Sequence, residues 1–454
     1  MSFKLYLASA LGLIKPTVKI EAAHDALLAD YQLFNEFHKS KELKEYHELE
    51  LLVSSPTFKQ KKKELQSLTL KGSKEAAQLD EYKKLERNSR LQRLYDTLKT
   101  EDLKRYEKMS GSGDLEAFDQ FRKSPAFKNY VAMKDSPERR RFEELQKVIS
   151  SEEFKSRVAY LEDKQKWEKT EDAQKEIRIA EMQKSPQLIN YLKYKHSTAF
   201  DFFKKWELVF EDRFDSGKLD TEKWMTQSYW ASQALGQNFS QVGDLHAFTD
   251  GKNVSLNGHA LKLEVRREKA TSMQWRIPFG FVEQEFDYTS GIVSTAGGQW
   301  WKHGILEAKV KYDPAQNLVD AIYLLGDETS PQVNLVEMGE KNRVGLFTRK
   351  ADGFHAESES LTGLKTGEYY IFRLEWTAHS LVWKINNRVV LTITHNVPDF
   401  KMHLNAATIV LADPAGSLPH RFEIAWVRFY QHHHEKLETT DHHRHPDQHR
   451  SAHV

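Results

Sequence analysis

Apolar residues recur at steps of three and four between residues 17 and 204, and polar residues fill the positions between them. Two such runs are Tyr31, Phe34, Phe37 and Phe142, Leu145, Val148. This spacing places the apolar side chains on one face of an α-helix. The first part of the chain is therefore predicted to be helical almost throughout.

The predicted helices begin at a repeated local signal, a hydroxyl residue followed three positions later by an apolar one. The predicted starts are Ser40, Ser55, Thr100, Ser124, Ser151 and Ser185. A hydroxyl there caps free backbone N–H groups of the first turn. The irregular spacing of the starts leaves two arrangements open, an elongated array that acts as a spacer or protein-docking arm and a compact helical domain or bundle. Gly111 and Gly113 are predicted to mark a flexible break.

Composition changes near residue 200. Of the 10 Trp and 21 Gly in the chain, one Trp and four Gly lie in the first 200 residues. That part carries 39 Lys+Arg and 33 Asp+Glu, a net charge of +6, and the rest of the chain has a net charge of −5. A length of 454 residues favours two or more domains. Neither part is basic enough to indicate a nucleic-acid partner.

The chain has no Cys, which excludes disulfides, Cys-ligated zinc and a catalytic thiol. The apolar run from Leu5 to Ile14 is too short to span a bilayer, so no transmembrane segment is predicted. It also lacks a convincing signal-peptide pattern, which leaves a cytoplasmic location or export by a non-standard route as the expectation. A His-rich tail ends the chain, and its candidate metal ligands are His432, His433, His434, His442, His443 and His445. Incidental binding of divalent metal is expected there, with a functional metal or pH-sensing role as the alternative.

Several segments after residue 205 occur in the order typical of one enzyme family. They are Phe210 to Asp215, Tyr288 to Gly291, Lys302 to Val310, Tyr370 to Thr377, Leu381 to Asn387 and Ala425 to Gln431. Over about residues 206 to 431 the chain resembles glycoside hydrolase family 16, the laminarinase-like jelly rolls. This resemblance implies a concanavalin A-like β-sandwich, which follows the all-α helical array predicted from the apolar spacing. The predicted divisions are 1–16, a short apolar segment; 17–204, helical; 205–431, jelly roll; and 432–454, a disordered His-rich tail.

The family's catalytic strand reads Glu-x-Asp-x-x-Glu, and this chain has Gln332, Asn334 and Glu337 at those positions. The resemblance implies that Gln332 replaces the nucleophile, that Asn334 replaces the assisting aspartate, and that Glu337 keeps the acid/base position. Residues i and i+2 of a strand share a face, whereas i+5 joins them only if a bulge shifts the phase. A bulge between Asn334 and Glu337 is therefore predicted.

Sugar-stacking candidates are Trp230, Trp300, Trp301 and Tyr323, each with core packing as the alternative. Ala425 stands where the family has the aspartate of its closing motif, which argues against a structural calcium, and no cofactor is expected. The predicted function is a catalytically inactive, glycan-binding pseudo-glycosidase whose helical region, residues 17 to 204, binds a protein partner. The alternatives are a structural or assembly component and a weak hydrolase of β-glucans or galactans that uses Asp320 or Glu328 as its nucleophile.

Overall fold

The computed structural model describes residues 14–109, 119–414, 416 and 418–433. The predicted break at Gly111 to Gly113 and the tail from His434 onward lie outside these residues. Contacts divide the chain into two compact units. One contains Leu33 to Lys195, and the other contains the residues up to Gln32 together with those from His196 onward. The two units are described separately below.

Helices account for the first part of the chain, as the apolar spacing predicts. They are α1 Thr17–His38, α2 Lys41–Ser54, α3 Pro56–Ser67, α4 Lys74–Glu86, α5 Ser89–Leu98, α6 Glu101–Met109, α7 Asp119–Lys123, α8 Pro125–Met133, α9 Pro137–Ser150, α10 Glu152–Glu162, α11 Glu171–Met182, α12 Pro186–Tyr194 and α13 Asp201–Lys205. A further short helix, α14, spans Tyr229–Leu235.

All six predicted hydroxyl caps are present. Ser185 accepts a hydrogen bond from the backbone N–H of Leu188, and Thr100 accepts one from Leu103. Ser40, Ser55, Ser124 and Ser151 bond in the same way to the third residue of their helices. Each cap satisfies one N–H group that the helix leaves without an internal partner.

The helices of the 33–195 unit pair in nested order. α2 packs against α11, α4 against α9, and α5 against α8. Small separate clusters of buried side chains hold the helices of this unit together, one around Leu188 and Tyr46, one around Phe58 and Trp167, and one around Leu94. The chain therefore runs outward through its first helices and returns beside them, so that two rows of helices form.

The other unit is a β-sandwich, which confirms the predicted fold class. Its strands are β1 Trp206–Asp212, β2 Phe239–Ser240, β3 His246–Phe248, β4 Val254–Leu256, β5 Leu261–Arg276, β6 Gly280–Ser290, β7 Ile292–Ser294, β8 Gly304–Lys311, β9 Leu318–Leu325, β10 Gln332–Gly339, β11 Arg343–Lys350, β12 Gly353–Ser360, β13 Tyr369–Trp376, β14 Leu381–Ile385, β15 Arg388–Ile393, β16 His403–Val410 and β17 His420–His432.

Two sheets enclose one core. The larger sheet follows the order β15-β14-β13-β8-β17-β5-β6-β3, with β1 beside β17 and β2 and β4 beside β5. The smaller sheet has the order β12-β11-β10-β9-β16-β7. Side chains from both sheets, including the fully buried Trp376 and Trp383, meet in a single apolar cluster. Truncating one such side chain to Ala costs about 3–5 kcal/mol.

The first turns of α1 pack with the sandwich. The hydroxyl of Thr17 accepts a hydrogen bond from the side chain of Asn386, at 3.1 Å. Glu21 accepts one from the Trp426 indole, at 2.9 Å, and forms an ion pair with Lys309 at 2.9 Å. Residues 17 to 32 thus belong to the sandwich unit by their contacts, although their sequence pattern is continuous with that of the helical region.

Candidate functional site

Strand β10 presents its polar residues on the outer face of the smaller sheet, the face turned away from the core. Val333, Leu335, Val336 and Met338 point into the core, and each is almost completely buried. The register of β10 with both neighbouring strands shifts after Asn334. Two consecutive residues, Leu335 and Val336, therefore face inward. The predicted bulge is present, and it returns Glu337 to the face that carries Asn334.

The three side chains form a hydrogen-bonded chain. The Gln332 amide donates to Asn334 Oδ1 at 2.6 Å, and the Asn334 amide donates to Glu337 Oε2 at 3.0 Å. The other carboxylate oxygen, Oε1, forms an ion pair with Arg343 at 2.9 Å. Asn334 is 2% exposed and Glu337 is 7% exposed. Both oxygens of Glu337 are thus engaged inside the protein. These four residues are called the β10 site below.

Arg343 was not predicted from the sequence. It begins β11 directly opposite Glu337, and its guanidinium extends past Gly345 to lie 4.4 Å from the Phe347 ring centroid. Gly345 leaves room for neighbouring backbone, because a Cβ there would collide with the Glu357 carbonyl oxygen of β12. The signal that could have identified Arg343 is its position after a short β10–β11 connection, which places it across from Glu337 in a hairpin.

Trp230 and Trp300, two of the predicted stacking residues, lie close together. The ring of Tyr229 is 5.5 Å from that of Trp230 and 5.1 Å from that of Trp300. Trp300 also packs edge-on to the buried His403, at 4.5 Å. Trp230 is 40% exposed, and its ring is therefore available to a ligand. Tyr229, Trp230, Trp300 and His403 are called the aromatic cluster.

Trp301 lies in the core instead. Its ring stacks on that of Phe429 at 4.5 Å and packs edge-on to Phe210 at 5.2 Å. The core alternative therefore describes Trp301. The reason is strand alternation, since adjacent residues point to opposite sides.

The aromatic cluster and the β10 site belong to the same outer face. Gln332 pairs across the sheet with Leu325, and Leu325 pairs with His403. On its other side, Gln332 pairs with Phe347, whose ring stacks on that of Phe354 at 5.8 Å. Neighbouring strands are about 4.8 Å apart, so Phe347 and His403 are separated by about 14 Å. Aromatic side chains therefore lie at both ends of a row that crosses four strands and passes over Gln332.

Tyr323 lies on the same outer face, next to Asn334. The two residues are paired across β9 and β10, and Asn405 of β16 pairs with Tyr323 from the other side. Burial and the nearby charge of Asp244 raise the pKa of Tyr323 to about 12. Burial lowers the pKa of His403 to about 4. Both groups are therefore neutral at neutral pH.

Asp320 and Glu328, the two acids considered as alternative nucleophiles, do not lie in the β10 site. Asp320 points toward the core, where it accepts a hydrogen bond from the Thr408 hydroxyl at 2.8 Å and pairs with His420 at 2.7 Å. Glu328 is exposed in the connection between β9 and β10. On β10 itself, Glu337 is the single carboxylate.

Two histidines of the tail lie within the described residues. His432 ends β17 with its ring 5.3 Å from that of Trp206, and His433 pairs with Glu207 at 3.8 Å. His434, His442, His443 and His445 lie outside the described residues. Within the described ranges, no group of three or more His, Cys, Asp or Glu side chains is placed to hold a metal ion. Nor does any helix in those ranges have the length and apolar character needed to cross a membrane.

Comparisons with known proteins bear on residues in the C-terminal half. No protein-family model matches the chain. A curated relative is the clotting factor G alpha subunit of Tachypleus tridentatus, which is 23% identical over 193 residues. The match covers 40% of this chain and 26% of that protein, so the chain spans about a quarter of its relative's length.

Similar solved structures include the laminarinase catalytic domain of Thermotoga maritima, with 20% identity, a TM-score of 0.41, and coverage of 50% of this chain and 98% of that one. Another is SCLam, a non-specific endo-β-1,3(4)-glucanase of family GH16, with 19% identity, a TM-score of 0.40, and coverage of 50% and 91%. These proteins are of the kind that the sequence motifs resemble, and they align with half of this chain.

Proposed function

We propose that the sandwich binds a polysaccharide across the outer face of its smaller sheet without hydrolysing it. The observation that carries this proposal is the β10 site, in which two amides and one fully engaged carboxylate stand at the three positions where the resembled family has acids. The names of the similar proteins suggest a β-1,3-linked or mixed-linkage glucan as the ligand.

The absence of hydrolysis follows from the chemistry of the amides. Retaining glycosidases use two carboxyl groups about 5–5.5 Å apart, one as nucleophile and one as proton donor. The amide of Gln332 is neutral and a poor nucleophile, and it cannot stabilise positive charge on the sugar as an anion would. Glu337 would have to release Arg343 and Asn334 before it could donate a proton to a leaving group.

Binding is supported by what the same surface offers a sugar chain. Pyranose rings present apolar C–H faces, and the partly exposed Trp230 and Trp300 are suited to stack on them. The half-buried Gln332 lies between these rings and Phe347, and its amide can both donate to and accept from hydroxyl groups. The surface thus combines the stacking and hydrogen-bonding groups that small polar ligands require.

Binding to laminarin, lichenan, agarose and carrageenan, together with the release of reducing ends, tests the proposal. We expect the unaltered protein to bind at least one of these and to release no reducing ends. Trp300→Ala is expected to weaken binding about tenfold, as loss of a stacked ring does. The matched control is Trp206→Ala, which removes an aromatic ring from the other sheet.

A second variant set separates binding from chemistry. Gln332→Glu with Asn334→Asp restores the two acids, and activity confined to this variant would support a silenced but intact binding surface. Reducing ends released by the unaltered protein and abolished by Glu337→Gln would contradict the proposal in favour of a weak hydrolase. Turnover that survives Glu337→Gln would also refute the acid/base assignment.

A structural or assembly role is the second candidate. Asn334, His403 and Asn405 are each no more than 2% exposed, so much of the outer face is closed to a ligand in this conformation. Absence of binding in both the unaltered protein and the restored variant would favour this role. Binding of a protein partner by the helical region likewise stays a proposal, supported by exposed apolar side chains such as Leu51 and Ile189.

A further inference from the structure

A long β-hairpin extends from the sandwich. β5 and β6 pair over seven residues beyond the register shift, from Ala270 opposite Phe286 to Arg276 opposite Gly280. At about 3.4 Å per residue this part is about 20 Å long. Among the described strands, only the two-residue β2 pairs with it there. A two-stranded ribbon is marginally stable alone, so its length indicates a role beyond holding the sandwich together.

The tip of this hairpin exposes large apolar side chains. Ile277 is 85% exposed, Phe279 is 77% exposed and Trp275 is 45% exposed. Across from them, the loop between β2 and β3 exposes Val242 and Leu245. Scattered apolar residues are common on protein surfaces, but a group of five on two facing segments marks a contact surface.

Polar side chains between the two segments are held in fixed positions. Arg276 donates to Gln274 at 2.8 Å and to Gln284 at 3.0 Å, and Gln274 in turn donates to the Gln241 carbonyl at 3.0 Å. Gln274, Arg276 and Gln284 line a cavity of about 940 Å³ bordered by Trp275 and Phe279. A cavity of this size that combines apolar walls with a few oriented polar groups is typical of small-ligand sites.

The cavity lies next to the outer face described above. The Gln241 to Leu245 loop leads directly into β3, whose His246 accepts a hydrogen bond from the backbone N–H of Val410 in β16 at 3.3 Å. Asp244 of this loop lines the cavity, and its charge also acts on Tyr323, the neighbour of Asn334. The backbone N–H of Gln241 donates to one Asp244 oxygen at 2.7 Å. A ligand that crosses the sheet past Tyr323 would therefore reach the cavity by way of Asp244.

Charge argues against a membrane surface as the occupant. Asp244, Glu285, Asp287 and Asp413 line the cavity, against two arginines, Arg267 and Arg276. Arg267 is moreover paired with Asp413 at 2.7 Å. Anionic lipid headgroups attract cationic surfaces, whereas this lining carries an excess of acids. Aromatic rings beside carboxyl, amide and guanidinium groups instead suit the C–H faces and hydroxyls of a sugar.

We propose that this cavity, between the β5–β6 hairpin and the Gln241 to Leu245 loop, is a second saccharide site that holds the continuation of a chain bound over the β10 site. Trp275 and Phe279 contact sugar rings, and Arg276 and Asp244 bond to hydroxyls. This inference rests on the proposed glycan-binding function, and it predicts that the protein prefers long chains to short ones.

Titration with laminari-oligosaccharides of two to about twelve units tests the site by calorimetry. We expect Trp275→Ala with Phe279→Ser to weaken binding of the longest oligosaccharides about tenfold and to leave the shortest unchanged. Trp300→Ala should weaken binding of every length. Phe279→Ser alone, at the exposed tip, is the second variant, and Tyr160→Ala, an exposed aromatic of the helical region, is the matched control.

Each other outcome is decisive. Unchanged affinity for long chains in both hairpin variants would overturn the second site while the proposed function stands. Equal losses at all lengths would also overturn it, because the hairpin would then act on the β10 site itself. Failure of the unaltered protein to bind any length would overturn both proposals for β-1,3-glucans. Loss of phosphatidylglycerol-vesicle binding or of self-association in the hairpin variants would assign the tip to a membrane or to a second copy.

Discussion

The helical region and the sandwich of this protein are specified in different ways. Most described helices of the 33–195 unit begin at a capping side chain of their own, and their buried side chains form small local clusters, such as the one around Leu94. The sandwich has a large apolar cluster that joins residues as distant in sequence as Phe210 and Phe429. A substitution in the helical region is therefore expected to affect one pair of helices, whereas a substitution in the core of the sandwich is expected to affect its outer face as well.

The largest expected effect tests this difference directly. Trp383 is almost completely buried in the sandwich, and its indole donates to the Asn334 carbonyl at 2.8 Å. Trp383→Ala should cost about 3–5 kcal/mol. The matched change, Trp167→Ala, removes a buried indole of the helical region that donates to Glu176.

Thermal unfolding can follow the two regions separately. Circular dichroism at 222 nm reports mainly on the helices, and tryptophan fluorescence reports mainly on the sandwich because nine of the ten Trp lie after residue 200. We expect Trp383→Ala to lower the fluorescence midpoint and Trp167→Ala to lower the helical one. If either variant moves both midpoints equally, the two regions do not unfold separately and the comparison fails.

The second largest expected effect is the loss of stability of the sandwich at low pH. Burial lowers the pKa of His246 and of His403 to about 4, and both belong to the sandwich. A histidine whose pKa is lower in the folded state stabilises the protein above about pH 6.5 and loses that contribution as the pH falls toward 4. Each is expected to remove of the order of 3 kcal/mol from the sandwich over this range.

His420 provides a control of opposite sign. Burial opposes its charge, but the hydrogen bond to Asp320 and the charge of Asp320 outweigh burial, and the pKa of His420 is raised. Its contribution is therefore complete below about pH 6.5 and is lost as the pH rises through the higher folded value. His420→Gln should destabilise the protein more at pH 5.5 than at pH 8.5. His403→Gln should reduce the loss of stability of the sandwich as the pH falls. Denaturant titrations followed by fluorescence at these two pH values measure both effects. A larger destabilisation by His420→Gln at pH 8.5 than at pH 5.5 would contradict the raised pKa of His420.

The smallest effect concerns the caps. Ser185 caps α12 by accepting from Leu188, and Ser228 caps α14 by accepting from Ala231. Ser185→Ala should cost about 1 kcal/mol and lower the helical midpoint. Ser228→Ala should leave that midpoint unchanged and act on the sandwich, because α14 carries Tyr229 and Trp230. A shift of the helical midpoint by Ser228→Ala would contradict the separation of the two regions.

Local features of this protein could be predicted from its sequence. Every predicted cap formed, because a hydroxyl and the N–H three residues later need no distant partner. Caps of the same kind at Ser73, Ser136 and Thr170 were not among the predictions. The bulge after Asn334 could also be predicted, because strand alternation fixes which face each residue takes.

Features that depend on distant pairing could not be predicted. The nested order of the helices, the ion pair of Arg343 with Glu337 and the burial of Asp320 against His420 each depend on which elements become neighbours. The adjacent residues Trp300 and Trp301 illustrate this, because Trp300 contacts the outer face whereas Trp301 packs in the core. Which of the two faces the core depends on the register of the strand. Sequence spacing alone does not supply that register.

The bulge in β10 also has a consequence for protein engineering. Leu335 and Val336 anchor the strand from inside the core, so the directions of residues 332, 334 and 337 are fixed by packing rather than by their own side chains. A designer could therefore replace these three polar residues with a different set, acids, imidazoles or further amides, on an unchanged backbone. The strand thus provides a fixed backbone on which a different set of polar side chains can be placed.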